Sequence, residues 1–261
     1  MIAHILISLL VGGGLIATCS LVAERAGPDL GGLIAGLPST LMVSLLFVGL
    51  GESPEAAARE TTFIPLALGV NCFMMGAFGF LAPRGLPIAL GVSLATWIGL
   101  AALAALFPPR NLAISLTLQA VFVGLGFLLT KHTGGEAPAG ASHCSGLQIL
   151  FRGLFGGSIV ATSVLLSHIG GPLVGGVASA FPAIGISSLV IVSNSRGIQF
   201  ATALLRPTMV STCVTMLGYV LAVRYAYPAL GLWTGTAVAL TVSLAGAWVL
   251  YAVNRRQSAM R

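Results

Sequence analysis

The sequence predicts an all-α integral membrane protein of about nine transmembrane helices, built as two four-helix repeats in inverted topology and joined by one connector helix. Three observations carry that prediction: apolar runs of membrane-crossing length, glycines and prolines that recur at a fixed offset, and a lopsided spread of lysine and arginine between the loops. Of 261 residues, 57% are hydrophobic and only 7% charged, whereas about a quarter of a soluble domain is charged. The 34 glycines suit helices that pack backbone to backbone in lipid, where small residues allow close approach.

At ~20 apolar residues per crossing, the runs fall near 2–23, 29–50, 62–82, 86–107, 111–130, 147–168, 172–194, 198–223 and 230–252. The first follows Met1-Ile2-Ala3-His4, which lacks the positive start of a signal peptide and so reads as a retained span. Between runs, Glu24-Arg25-Ala26-Gly27-Pro28, Pro83-Arg84-Gly85 and Pro108-Pro109-Arg110 carry turn-forming residues. The stretch from His132 to Gly146 is the only segment long and polar enough for a linker. Three units follow: repeat 1 over 1–107, the connector helix and its linker over 108–146, and repeat 2 with a basic tail over 147–261.

Orientation comes from the cations. Arg25, Arg84, Lys131, Arg196, Arg255, Arg256 and Arg261 fall on one side, and only Arg59, Arg110 and Arg224 on the other. The positive-inside rule makes the richer side cytoplasmic, which puts the N-terminus outside and the C-terminus inside. The net charge of +6 is spread singly between apolar runs, so nucleic acid is excluded as a partner, since it requires a dense basic patch. The cysteines, Cys19, Cys72, Cys144 and Cys213, show no CxxC spacing, and three lie in apolar runs. Cysteine behaves there as a small hydrophobe, and no disulfide, metal site or cofactor is expected.

The repeat appears on shifting the chain by 144 residues against itself. Gly12-Gly13 and Ala17-Thr18 meet Gly156-Gly157 and Ala161-Thr162; Gly27-Pro28 meets Gly171-Pro172, Gly31-Gly32 meets Gly175-Gly176, Pro38 meets Pro182, and Ser44-Leu45 meets Ser188-Leu189. After a two-residue slip Pro65 meets Pro207, and a weaker match pairs Gly85-Leu86 with Gly231-Leu232. Each half therefore holds four runs, and 111–130 has no partner. If that connector crosses fully, the second half enters from the opposite side and the repeats are inverted; if it does not, they are parallel.

The second run of each half carries the most distinctive pattern. Pro28 and Pro172 are placed to start helices, where the missing donor costs little. Pro38 and Pro182 lie near mid-run, where proline removes a hydrogen bond and clashes with the preceding turn. Two readings stand: paired breaks that free backbone groups for a substrate at the midplane, or passive kinks whose glycine-rich faces serve packing. Ser39, Thr40, Ser187 and Ser188 offer hydroxyls beside the prolines, either to a ligand or to their own helix backbone.

Ionisable and amide side chains within runs are the other signal. Arg206 lies about nine residues into its run, ~13 Å along a helix, next to Pro207; Arg152 is shallower. Each either draws an anionic group with its forked donors or snorkels to the headgroups. Asn71, mid-run, is a ligand contact or an interhelical hydrogen bond. Ser53-Pro54-Glu55 reads as an exposed helix start, with Glu55 able to pair with Arg59; Glu60 either belongs to that exposed cap or carries a coupling proton.

The run Ala35-Gly36-Leu37-Pro38-Ser39-Thr40, between a first apolar span and a proline-started third one, resembles the GlpM-like group of small bacterial membrane proteins. The resemblance implies a four-span unit, here joined twice through an extra helix, and a bacterial inner-membrane location. It covers mainly the first three spans of each half, and Ala180-Phe181-Pro182-Ala183 departs from the motif. It implies no substrate and no catalytic residue.

No enzyme is expected. HExxH, paired aspartates and GxSxG are absent from the sequence, and all six acidic residues lie in loops or at run ends. His143-Cys144 sits in the linker without rigid support, and His168 reads as interfacial. The architecture predicts a secondary active transporter, moving a small-molecule substrate, anionic in one reading, with a proton or sodium as coupling ion. The alternative is a non-transporting membrane scaffold or assembly partner, and a homodimer is one form either takes.

Overall fold

A computed structural model describes residues 2–25, 38–131 and 145–259. The predicted motif residues Gly27, Pro28, Gly31 and Gly32, the linker pair His143-Cys144, and Arg261 lie outside the described residues. Among the described residues every regular element is helical: α1 (Ile2–Arg25), α2 (Ser39–Gly51), α3 (Pro54–Glu60), α4 (Ile64–Leu81), α5 (Leu86–Leu106), α6 (Leu112–Leu129), α7 (Gly146–Ser179), α8 (Ala183–Arg196), α9 (Ile198–Ala203), α10 (Leu205–Ser211), α11 (Leu217–Leu230) and α12 (Leu232–Ala259). A 3-10 turn at Ala82–Arg84 precedes α5, and a π-helical turn at Thr212–Met216 joins α10 to α11.

The helix starts follow from local chemistry. The first amides of a helix have no partner within it, and a side-chain oxygen one residue ahead supplies one. Ser53 accepts from the Ala56 amide at 3.1 Å, with Pro54 in the first turn of α3. Asn111 does the same for α6 through Ile114, and Ser145 with Gln148 closes a reciprocal cap on α7. Gly85 (φ 97°) and Gly231 (φ 78°), paired by sequence, both adopt left-handed backbone and each begins the next helix, a conformation that glycine reaches without steric cost.

Six helical stretches are long and apolar enough to cross a membrane: 64–84, 86–106, 112–129, 146–171, 198–230 and 232–253. They reproduce six of the nine predicted runs to within a few residues, save that 198–230 extends well past 223 and is interrupted by the end of α9 and the π turn. The run 2–23 corresponds to α1. The runs 29–50 and 172–194 are not single helices. Pro38 is the residue ahead of α2 (φ −76°, ψ 49°) and Pro182 the residue ahead of α8 (φ −80°, ψ 52°), and each carbonyl accepts the amide four residues on at 2.8 Å, from Met42 and Ile186. Neither proline therefore kinks a continuing helix. Each starts one, where its absent donor is not missed. Upstream of Pro182, α7 leaves helical geometry at Gly171 (φ 73°, ψ −173°) and stops at Ser179.

α4 occupies the centre. In its spanning window 83% of residues are buried, against 17% for α5 and for α6, so α4 is the axis and the other two are flanks. The flanks, with α12, present Leu106, Phe107, Trp233 and Trp248 outward, a surface that lipid solvates and water does not.

Two glycine-lined crossings fix the relative directions. Along α1 and α7, a methyl on Gly13 would sit 2.8 Å from the Gly153 oxygen, and one on Gly157 would sit 2.6 Å from the Leu9 oxygen; Gly12 faces Val160 and Gly156 faces Ile16. As numbers rise along α1 they fall along α7, so these helices run antiparallel. Along α4 and α6, Ser115 Oγ accepts the Leu66 amide at 3.0 Å, Gly69 meets Gln119 and Gly76 meets Gly126. Here numbers rise together, so α4 and α6 run parallel with α5 returning between them. Ser115 supplies a partner to an amide at the open start of α4, which lipid cannot.

Candidate functional site

The chain break ahead of Pro182 is held by three side chains from elsewhere. Asn71 of α4 donates from Nδ2 to the Ala180 carbonyl at 2.9 Å and accepts the Trp97 indole N–H on Oδ1. Trp97 and Phe155 each meet the Phe181 ring edge-on, at 4.9 and 6.3 Å between centroids. A carbonyl freed by a helix break in a dry interior needs such a partner. Asn71 is thus an interhelical hydrogen-bond residue that secures the break.

The other predicted residues are placed separately. Pro38, Ser39, Pro182 and Ser187 are buried, and Thr40 and Ser188 half-buried. Arg152 is half-buried in the early turns of α7 with a buried Nε that lacks a hydrogen-bond partner. Arg206 is exposed, and its Nε donates to Thr130 Oγ1 at 3.3 Å, beside Lys131 at the end of α6. Because α9 stops at Ala203, Arg206 stands in the first turn of α10 rather than deep in an unbroken helix. Asn71 is therefore joined to the Pro182 break, whereas Arg206 belongs to one end of the molecule.

At the opposite end, where α4 begins, Arg224 donates from Nη1 to Thr62 Oγ1 at 2.8 Å. It lines an open cleft of about 370 Å³ with Glu55, Arg59, Thr62 and Tyr225. The enclosed void beside Trp97 and Val177 is about 10 Å³, space for one water at most.

The predicted exposed cap at Glu60 is a correction. Glu60 is fully buried, although Ser53 and Glu55 ahead of it form the expected helix start. Its carboxyl lies against Gly175 and its backbone carbonyl against Gly176, in the limb of α7 beyond the Gly171 kink, close enough that neither glycine could carry a side chain unchanged. Ser167 Oγ is 2.6 Å from Glu60 Oε1 and 3.1 Å from Glu52 Oε1, and His168 Nδ1 stands 3.6 Å from the same Glu52 oxygen. Glu60 Oε2 is buried without a hydrogen-bond partner. Burial, against which the Ser167 hydroxyl works, pushes the Glu60 carboxyl up to about 8, with Glu52 adding to the rise. His168 is accordingly part of an acid–base cluster. Its one trace in the sequence is the glycine pair Gly175-Gly176, whose lack of side chains makes room for the carboxyl and the backbone carbonyl of Glu60.

Cys72 and Cys213 thiols meet between α4 and the π turn. Among the described residues no group of three or more His, Cys, Asp or Glu is placed to hold a metal ion. The chain matches no family model, no curated protein and no solved structure.

Proposed function

We infer that the chain is a secondary active transporter of the cell membrane, moving a small anionic metabolite by alternating access of two inverted repeats around the breaks at Pro38 and Pro182. The observation that carries this is the self-complementarity of the α1–α7 crossing. Under the 144-residue shift the contact Gly12–Val160 becomes Gly156–Ile16, and Gly13–Gly153 becomes Gly157–Leu9. Antiparallel helices whose contacts exchange in this way obey a two-fold axis perpendicular to both, which for membrane-crossing helices lies in the membrane plane. Helix boundaries support the same exchange: α2 starts at Ser39 and α8 at Ala183, α3 at Pro54 and α9 at Ile198, each pair one shift apart. Counting each broken run as one crossing gives nine, with the N-terminus outside, and the parallel course of α4 and α6 supports a connector that crosses fully. The GlpM-like four-span unit is the repeat this implies.

Anion selectivity rests on a cationic mouth at each end: Arg206 with Lys131 at one, Arg224 with Arg59 at the other. Fields of this kind raise the local concentration of an oppositely charged solute. The void beside Trp97 encloses only about 10 Å³, too little for a metabolite, so transport past it requires the halves to move. A scaffold would keep the same packing permanently. Uptake of a panel of organic and inorganic anions into proteoliposomes decides between them, with oxidative cross-linking of Cys72 to Cys213 as the lock. Uptake that stops on cross-linking and returns on reduction is expected; a chain that moves no member of the panel is a scaffold.

A further inference from the structure

We propose that Glu60 is the proton-binding site of this protein, loaded through Ser167 from the Glu52–His168 pair, and that its protonation holds α3 against the second limb of α7. The inference rests on the transporter reading only for calling this proton the coupling ion. The site itself stands on geometry. Glu52 Oε1, Ser167 Oγ and Glu60 Oε1 form a row with contacts of 3.1 and 2.6 Å. Ser167 owns one hydroxyl proton and can satisfy one of the two carboxylates. The second short contact is attractive only when a carboxyl carries a proton of its own. Glu60 Oε2, fully enclosed and without a partner, marks which carboxyl is more costly to leave charged.

Among the described residues, the groups facing Glu60 supply no counter-charge that would replace that proton. α3 packs against α2, α7 and α11. The loop after α2 brings Glu52, a like charge; α7 brings Ser167 and, one residue on, His168, which is directed at Glu52. On α11, Arg224 is tied to Thr62, and Tyr227 to Thr236. Glu55 and Arg59, on α3 itself, line the open cleft. A metal-like cation is a poor fit, because Gly175 and Ser167 already crowd one side of the carboxyl and a cation needs several oxygens around it. A proton needs one.

The step balances simply. A proton from solvent reaches Glu52 or His168, which are partly exposed at 29% and 23%, and passes across Ser167; an O–H bond forms on Glu60, whose charge goes from minus one to zero. On release the reverse leaves a buried carboxylate on a glycine backbone, and that state is relieved by parting α3 from α7. Closed packing and the bound proton therefore favour each other, as linkage requires.

The experiment is infrared difference spectroscopy of the full chain in detergent, between about pH 6 and about pH 10, a window that brackets the titration of a raised carboxyl. The expected result is a neutral-carboxyl band lost with a midpoint near 8, absent in Glu60→Gln, and moved to lower pH in Glu52→Gln. Glutamine mimics the protonated acid, so Glu60→Gln is expected to fold, and an unchanged elution profile verifies it. A wild type without the band, or a Glu60→Gln protein that keeps it, overturns the proposal. A midpoint that moves when sodium replaces choline at fixed ionic strength overturns it in favour of a cation. No substrate enters the measurement: a chain that titrates but transports nothing keeps the proton site and loses the transporter reading, and the converse loses only the site.

Discussion

The stretches around Pro38 and Pro182 start their helices alike and differ in the chemistry around them. Pro38 and Pro182 stand ahead of their helices with torsions that agree within a few degrees, and each accepts the same capping amide. At Pro182 the break is clasped by Asn71, Trp97 and Phe155. The positions that the repeat assigns to Asn71 and Trp97 in the second half hold Cys213 and Ser243, and the Ser243 hydroxyl is buried without a partner. Likewise α3 ends in Glu60, while α9 ends in Ala203 followed by Leu204. Glycine and proline placement thus agrees between the two stretches at these positions, while the polar groups around them differ.

The largest expected effect falls where the halves agree. Gly13→Leu and Gly157→Leu each drive a side chain into a facing carbonyl at the α1–α7 crossing, and each should cost about 3 kcal/mol or more, read as a lowered thermal midpoint in detergent. Equal losses support the two-fold exchange; a large loss at one and a small loss at the other breaks it. Next comes a difference between halves. Asn71→Leu leaves the Ala180 carbonyl and the Trp97 N–H unpaired and should cost about 2–3 kcal/mol. Its counterpart Cys213→Ala should cost under about 1 kcal/mol by the same assay.

How much of this was legible in the sequence follows from which features are local. The boundaries of six spans and the cap at Ser53 depend on neighbours along the chain, and the apolar runs and turn-forming residues located them. The mid-run position of Pro38 suggested a break or a kink; a proline at a helix start looks the same until its own torsions place it outside the helix. Arg206 looked deep because its run was measured by residue count alone, and only its contact with Thr130 at the end of α6, distant in sequence, places it near one end. Glu60 was hidden for another reason: its burial comes from Gly175 and Gly176, over a hundred residues away, and a window around Ser53-Pro54-Glu55 contains only the signals of an exposed cap.

A smaller effect separates the halves by pH. The Glu60 carboxyl, raised from 4.5 to about 8, binds a proton in the folded state that the unfolded chain has already released. Its contribution is therefore full below about 4.5 and is lost as pH rises to about 8. The wild-type thermal midpoint should fall across that window, while that of Glu60→Gln should stay flatter. The smallest expected change is at Arg206. Being exposed, Arg206→Ala should leave stability within about 0.5 kcal/mol, and should lower anion uptake about threefold at low salt with little effect at high salt.

Inversion of the two copies is the claim on which the rest depends, and paired thiol labelling measures it directly. Glu55 and Gln199 are one 144-residue shift apart, both exposed, in the first turns of α3 and α9. In a chain otherwise free of cysteine, Glu55→Cys and Gln199→Cys are each probed with a membrane-impermeant reagent from either side of sealed vesicles. Labelling of Glu55→Cys from outside and of Gln199→Cys from the cytoplasmic side is the predicted result, and labelling of both from the same side contradicts it.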